Sequence, residues 1–389
     1  MKSIIEQQLK LAKIENSSDE FKKEYKNKAL DTIISEINNN KNRYIFYCPD
    51  IVLVNTLVKL IYETAYEFHK NGNEVVILHE MNGFKCNWLL KDKNYKHLSE
   101  LKLDYIIQKK GAKTKRTTNN YSFKVSDTLI VPDQFIEMFD NLLEVKLMQK
   151  VLLITSHVGI SSIQPGANLK SLGINKVLFT EEKLKNDYEI LFNDTEYLEL
   201  TNYPINEDIF KDRIEKEIAP FITVSQIGNN DFVQQVINIF YNKYPNLKFF
   251  NFRLLDRNSL SLYVENLQKA AGLLILDKNL NSLQMIHEAL SMGCPVFTTK
   301  RREINDTLGS SITLGIDAFE IADNLASYCQ YWLTEKTSEV DNEAKSLVDN
   351  SFRTYENFNK QISEITTNLK QNRVDFFAKI KENESKKAL

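Results

Sequence analysis

The sequence lacks the features that mark metal sites, secretion and membrane insertion. Its cysteines number only four, and no C-x-x-C or Cys/His spacing connects Cys48, Cys86, Cys294 and Cys329. We therefore expect no metal site, and a reducing, cytoplasmic setting. No apolar run reaches the ~18 residues that a membrane span needs. Residues 1–21 also lack the apolar segment of a secretory signal.

Glycine is scarce, at 11 of 389 residues, and it is missing where nucleotide motifs need it. The segment FYCPDIVLVN around the end of the first predicted strand contains no G-x-G-x-x-G fingerprint, and no P-loop occurs. There is no G-x-S-x-G elbow either. These absences argue against oxidoreductases that bind dinucleotides, P-loop enzymes and serine hydrolases. The net charge of −2 gives no field that would favour nucleic acid or an anionic membrane.

Short apolar runs alternate with helix-like segments along most of the chain. Strand-like runs occur at 43–48, 73–79, 103–108, 127–132, 150–156, 175–180 and 196–200, and again at 220–225, 247–252, 272–277 and 295–299. Helical patterns separate many of them, including 51–72 and 133–150. Such alternation is typical of parallel sheets covered on both faces, and two such series predict two doubly wound α/β domains.

The lengths of the segments predict four parts. A helical N-terminal extension covers 1–40, a first Rossmann-like domain 41–205, a second 206–345, and C-terminal helices 346–389. Two domains of about 150 residues suit a chain of this length. The apolar residues of both ends need a surface to cover. We therefore expect the ends to pack on the protein itself, on a partner or on a second copy.

The stretch NSLQMIHEALSMGCPVFTT, residues 281–299, combines an amphipathic helix with a buried strand. Glu288 lies in the middle of this helix beside apolar residues. A carboxylate at such a place is either solvated or faces a ligand, and the residues alone leave both interpretations open.

The passage EALSMGCPV, residues 288–296, resembles the helix-to-strand passage at the donor site of family 4 glycosyltransferases, which have the GT-B fold. TNYPINEDIF at 201–210 is similar to the crossing between the domains of that family. LLITSHVG at 152–159 is similar to its strand that ends in a His facing the cleft. The resemblance covers about residues 41–345. It implies two domains facing a cleft, with the C-terminal helices packed back on the first domain.

The resemblance implies a glycosyltransferase that retains anomeric configuration and uses a nucleotide sugar, an unidentified acceptor, and no cofactor or metal. Glu288 would accept hydrogen bonds from two ribose hydroxyls, for which an ionised carboxylate is suited. His157 would face the transferred sugar or the acceptor, although a His at a strand end can equally be structural. His157 is thus the candidate catalytic residue.

The start of the same helix is the candidate site for the diphosphate. Asn281 or Ser282 could cap the helix, and the free N–H groups of Ser282, Leu283 and Gln284 would point at the phosphates. Lys300, Arg301 and Arg302 follow the next strand. They could contact the diphosphate or form a solvated basic loop.

The sequence departs from the family at the donor site. Leu280 stands where the family has a second Glu, and the turn NLNSL has no glycine. The segment TVSQIGNNDFVQQ lacks the Arg and Lys that clamp the diphosphate in the family. These departures lead to a second hypothesis, a catalytically inactive pseudo-glycosyltransferase that acts as a structural, assembly or binding protein.

Overall fold

The structure is a computed structural model. It describes residues 19–39, 43–107, 121–139, 148–156, 168–201, 203–206, 208–210, 220–225, 230–276, 282–299, 313–333, 346 and 354–386.

A seven-stranded parallel sheet forms the first half of the chain. Its strands are β1 Arg43–Tyr47, β2 Glu74–Met81, β3 Lys102–Ile107, β4 Thr128–Pro132, β5 Gln149–Ile154, β6 Ile174–Phe179 and β7 Glu196–Glu199. Their order across the sheet is β3-β2-β1-β4-β5-β6-β7. Strands β1, β4 and β5 are buried along their whole length, because helices cover both faces of a parallel sheet.

A five-stranded parallel sheet forms the second half. Its strands are β8 Phe221–Val224, β9 Asn251–Leu254, β10 Gly272–Ile275, β11 Val296–Thr299 and β12 Thr313–Gly315. They lie in the order β12-β11-β10-β8-β9. In both sheets the strand order leaves the chain order and reverses direction, as it does in doubly wound folds. The predicted fold class is therefore confirmed.

Helices cover the sheets and extend beyond them. They are α1 Asp19–Asn38, α2 Thr56–Lys70, α3 Asn87–Leu90, α4 Glu182–Leu191, α5 Asn230–Lys243, α6 Leu260–Lys269, α7 Ser282–Ser291, α8 Ala318–Trp332 and α9 Tyr355–Lys386. Short 3₁₀ helices occur at Lys93–Glu100, Asp133–Met138 and Pro245–Leu247. Among the described residues, no helix is both long enough and apolar enough to cross a membrane.

Two predicted helices differ from the structure. The pattern at 51–72 becomes helical only at Thr56, because the side chain of Asn55 accepts a hydrogen bond from the N–H of Val58 at 3.1 Å and caps the helix there. The helix predicted over 133–150 is wrong at both ends. Asp133–Met138 is a 3₁₀ helix interrupted by a non-helical backbone at Phe135, and β5 already begins at Gln149.

The long C-terminal helix α9 lies against the first sheet and its helices. It buries five apolar side chains, Phe358, Ile362, Ile365, Leu369 and Phe377. The carbonyl of Leu369 accepts a hydrogen bond from Gln149 at 3.4 Å, and Lys370 Nζ donates to the carbonyl of Asn38 at the end of α1 at 2.9 Å. The terminal helices thus cover apolar surface of the body. The predicted domain limits stay predictions.

The two halves meet through segments that follow the carboxyl ends of their strands. The N–H of Val54, in the loop after β1, donates to the carbonyl of Arg257, after β9, at 2.7 Å. One continuous apolar core also joins residues of α2 to residues of α7. Ligand sites of doubly wound sheets form at these strand ends, so the contact between the halves is the expected place for a site.

Candidate functional site

Helix α7 follows the carboxyl end of β10, and Gly293 lies two residues after its last residue, Ser291. The glycine has a φ of 75°, and its N–H bonds the carbonyl of Leu290 at 2.8 Å. The next N–H, that of Cys294, reaches the carbonyl of Ala289 at 2.9 Å. This pair of bonds is the Schellman end of a helix. Gly293 of the EALSMGCPV passage therefore serves to end the helix, a role that involves no ligand. Glu288 takes no part in this helix end.

Glu288 is completely buried on α7, at the contact between the two halves. Its Oε2 accepts a hydrogen bond from the hydroxyl of Tyr263 on α6 at 2.7 Å. Its Oε1 forms an ion pair with the ammonium of Lys59 on α2. Gln284 Nε2 lies 3.5 Å from the same oxygen. The solvated interpretation of Glu288 is therefore wrong, while its role in binding ribose stays a prediction.

Lys59 brings a positive charge from the first half into this interface. Lys59 is only 3% exposed, and its Nζ lies 4.5 Å from the centre of the Phe210 ring. A buried ammonium needs compensation for its lost hydration, and here a carboxylate and an aromatic face provide it. The Lys59–Glu288 pair thus connects two elements that are 229 positions apart in sequence.

Glu63 lies one turn after Lys59 on α2, where positions four apart share a face of the helix. The hydroxyl of Tyr203 donates to its Oε2, and that of Tyr355, on α9, donates to its Oε1 at 3.1 Å. Burial raises the pKa of Glu63 from 4.5 to about 7, although Lys59 and the two hydroxyls counteract part of that effect. The carboxyl of Glu63 therefore has a pKa raised to near neutral pH.

A second polar cluster lies at the carboxyl ends of β1 and β2. His79 is completely buried. Its Nδ1 lies 3.0 Å from Asp50 Oδ1, and its Nε2 lies 2.7 Å from the hydroxyl of Tyr62 on α2. Asp50 Oδ2 also accepts from the N–H of Met81 at 2.8 Å. An Asp–His–Tyr chain of this kind holds the imidazole in one orientation, beside the loop that contacts the second half.

A further carboxylate, Asp133, fixes the end of β5. Its Oδ1 accepts from the N–H and hydroxyl of Thr155 at 3.1 and 3.0 Å. Its Oδ2 accepts from the hydroxyl of Ser156 at 3.0 Å and from that of Tyr188 at 3.3 Å. These bonds hold the two residues that precede position 157.

The structure describes some of the predicted site residues. Five of them lie outside the described residues, namely His157, Asn281, Lys300, Arg301 and Arg302. Ser282, Leu283 and Gln284 form the first turn of α7, which leaves backbone N–H groups without a helical partner. Within the described residues, no group of three or more His, Cys, Asp or Glu could hold a metal ion.

Sequence reasoning missed the groups that surround Glu288. Lys59 and Glu63 stand between apolar residues of the helical pattern at 51–72, and these two charges were an available signal. Asp50 and His79 each follow or end a predicted parallel strand, so their proximity could have been inferred from the shared sheet edge. Tyr263 offered no comparable signal, because an aromatic residue on a helix usually belongs to the core.

Comparisons with known proteins show likeness in structure only. No family model matches the sequence, and no curated protein matches it. A sucrose-phosphate synthase from Thermosynechococcus elongatus superposes with a TM-score of 0.55 at 8% identity, over 87% of this chain and 99% of that one. A TarM variant from S. aureus, solved with fondaparinux, alpha-GlcNAc-glycerol and UDP, gives 0.53 at 12% identity, over 84% and 99%. Another structure of TarM gives 0.52 at 13% identity, over 85% and 98%.

At such identities the likeness shows the fold alone. Nearly the whole length of each of these proteins is covered, so the likeness extends to both sheets and to their arrangement. The resemblance to family 4 and the degenerate donor site both stay predictions. The chain has the GT-B fold, with two doubly wound halves in contact through the segments at their strand ends.

Proposed function

We propose that the protein is a glycosyltransferase that transfers a sugar from a nucleotide-sugar donor to an acceptor, with retention of anomeric configuration. The donor would bind to the second half at the start of α7. The observation that carries this proposal is the position of Glu288. It places a buried carboxylate on the helix that follows a central strand of the second sheet, facing the first half in a GT-B fold.

The chemistry of this position suits the nucleotide part of a donor. A carboxylate can accept hydrogen bonds from two neighbouring ribose hydroxyls. One and a half turns earlier, the free N–H groups of Ser282, Leu283 and Gln284 would carry the positive end of the helix dipole toward the diphosphate. Transfer of the sugar leaves negative charge on that diphosphate, and groups that stabilise this charge lower the barrier. The helix end would supply part of this stabilisation.

The structure also sets a condition for donor binding. Glu288 is completely buried, and its two oxygens already contact Tyr263, Lys59 and Gln284. A ribose can take the carboxylate only if the ammonium of Lys59 withdraws, which requires some separation of α2 from α7. Donor binding and movement at the contact between the halves should therefore occur together.

Calorimetric titration with UDP-, GDP- and ADP-glucose tests the proposal. We expect one of them to bind the wild type weakly, near millimolar Kd. This estimate assumes a helix end that contributes about 0.3–2 kcal/mol in place of a basic clamp. Glu288→Gln removes a charge but keeps the shape and should weaken binding by at least about tenfold, since charge-assisted bonds contribute roughly 1.5–3 kcal/mol. Product NMR with the bound donor then reports the anomeric configuration.

One variant is the matched control. Glu265→Gln neutralises an exposed carboxylate on α6, paired with Lys269 at 2.6 Å. Binding should be unchanged in Glu265→Gln. If no nucleotide sugar binds to the folded wild type, the proposal is wrong, and a pseudo-glycosyltransferase with a binding or assembly role becomes the better hypothesis.

A further inference from the structure

Helix α2 presents two groups of opposite charge to the contact between the halves. Lys59 and Glu63 are four positions apart, so they share a face of the helix, with about 5–6 Å between their Cβ atoms. Lys59 is bonded to Glu288 from the opposite half. Because the lysine side chain is long and flexible, its ammonium has a second carboxylate within reach on its own helix.

The charges in this cluster do not balance when both carboxyl groups are ionised. One ammonium then faces two carboxylates, and all three residues are at least 97% buried, with exposures of 3, 3 and 0% for Lys59, Glu63 and Glu288. Lys59 can neutralise only one of them at a time. While it is bonded to Glu288, a second negative charge at Glu63 is costly, and the neutral acid is favoured. The raised pKa of Glu63 agrees with this picture.

Among the residues that the structure describes, the other groups around Glu63 do not offer a second cation. Those that face it or influence it from each packed element are Tyr203 in the connection between the halves, Tyr355 on α9, Tyr95 in the 3₁₀ helix Lys93–Glu100, Glu288 on α7, and Lys59 and Glu67 on its own helix. The tyrosines carry no positive charge, and Tyr203 and Tyr355 donate hydrogen bonds to Glu63. The neighbouring Glu67 already has a cation, because Lys70 Nζ lies 2.9 Å from both of its oxygens.

We propose that Lys59 is a switch residue, which blocks Glu288 in the form seen here and turns to Glu63 when the ribose of a nucleotide sugar takes Glu288. The carboxyl O–H of Glu63 then ionises and its proton passes to the solvent, while no other bond is broken. This inference rests on the proposed function and deepens it. Donor binding becomes coupled to the release of a proton near neutral pH.

Calorimetric titration in two buffers tests the switch. UDP-glucose, or whichever of GDP- and ADP-glucose binds, is titrated at pH 7 in phosphate and in Tris, which differ in ionisation enthalpy. A sugar diphosphate diester has no group that titrates near this pH. We expect the wild type to release about half a proton per nucleotide, because a carboxyl with a pKa of about 7 is half protonated there. The release should increase at pH 6.

Glu63→Gln should bind the nucleotide sugar without releasing a proton, since the amide does not ionise. Glu67→Gln is the matched control one turn further along α2 and should release as much as the wild type. Lys59→Met also lacks a movable ammonium, and it should abolish the release even if Glu63→Gln does not fold.

Each outcome decides between the two proposals. Binding whose heat is the same in both buffers overturns the switch but leaves the donor site intact. Proton release that persists in Glu63→Gln, or in Lys59→Met, also overturns the switch alone. If no nucleotide sugar binds to the folded protein, the switch and the proposed function are both wrong.

Discussion

At the scale of single residues, the contact between the halves buries several ionisable side chains. Lys59 and Glu288 form a buried ion pair, and Glu63 is buried beside them. Buried pairs often contribute little net stability, because desolvation offsets their attraction. Breaking such a pair is nevertheless costly, because the remaining charge stays buried without a partner. A pair of this kind can therefore hold two elements in one specific arrangement.

Removing one member of the pair should destabilise the protein strongly. Lys59→Met leaves Glu288 buried without its cation, and we expect a loss of about 3–5 kcal/mol in the free energy of unfolding. Lys59→Met combined with Glu288→Met should recover most of that loss, because neither charge of the pair remains. Urea denaturation measures Lys59→Met, Glu288→Met and the double variant.

The exposed pair between Lys269 and Glu265 on α6 provides the control. Glu265→Gln should change stability by less than about 1 kcal/mol, as solvent screens this pair. If the losses in the Lys59/Glu288 double variant simply add, the two side chains do not depend on each other, and the interpretation fails.

Glu63 should make stability depend on pH in a direction that can be calculated. Its pKa is about 7 in the folded chain against 4.5 as the ordinary value, so the folded state binds the proton more tightly. The resulting stability is fully present below pH 4.5 and is lost as the pH rises from 4.5 through 7. The loss is on the order of 3 kcal/mol.

In Glu63→Gln the fall in stability between pH 4.5 and 7 should become shallower, and the variant should be more stable than the wild type at pH 8. Glu67→Gln should keep the wild-type slope. Unfolding followed by circular dichroism across this pH range measures both. Identical slopes for Glu63→Gln and the wild type would contradict the assignment.

At the scale of elements, α7 shows which parts of a motif serve the fold. Its end depends on Gly293, whose positive φ is costly for a residue with a Cβ atom. Gly293→Ala should lower the free energy of unfolding by about 1–2 kcal/mol. Gly293→Asn should lower it less, because Asn tolerates this conformation better.

Gly72, after α2, gives the reference value for this effect. Its φ is 79°, and an added Cβ atom would have no neighbour within 4 Å. Gly72→Ala therefore measures the backbone cost without a clash, and its effect should be similar in size. Guanidinium denaturation curves compare the variants. A Gly293→Ala protein as stable as the wild type would show that the helix does not need this end.

At the scale of the whole molecule, α9 connects both ends of the chain to the first sheet. The hydroxyl of Tyr355, at the start of α9, donates a hydrogen bond to Glu63 in the interface. Further along the helix, Leu369 and Phe377 are completely buried. The helix thus contacts the same polar cluster that joins the two halves. The packing of α9 and the arrangement at the interface should therefore be coupled.

A single substitution on α9 should have a large effect. Leu369→Ala removes a completely buried side chain, and we expect a loss of about 2–5 kcal/mol in the free energy of unfolding. Glu364→Ala, at an exposed position on the same helix, should change it by less than about 0.5 kcal/mol. Thermal unfolding of both variants checks this. Equal effects would mean that α9 does not pack as described.

The sequence by itself determined the two doubly wound sheets, because alternating strand and helix patterns are local and their periods can be counted directly. It also indicated the end of α7, since Gly293 supplies the backbone conformation that stops a helix. The predicted start of α2 was wrong by several residues, because apolar residues stand on both sides of the cap at Asn55 and the pattern does not show where the helix begins. The helical pattern after β4 did not indicate that Asp133 is buried and accepts hydrogen bonds from Thr155 and Ser156 at the end of β5.

Only the tertiary structure decided what the charged residues do. Glu288 could be solvated or face a ligand as far as the sequence showed, and the structure buries it against Lys59 and Tyr263. The partner of Lys59 lies 229 positions away, and Glu63 meets Tyr355 at a distance of 292 positions. Such pairs arise from the docking of two halves and a terminal helix. A local pattern does not contain that information, because it sets the shape of each element and leaves its partners open.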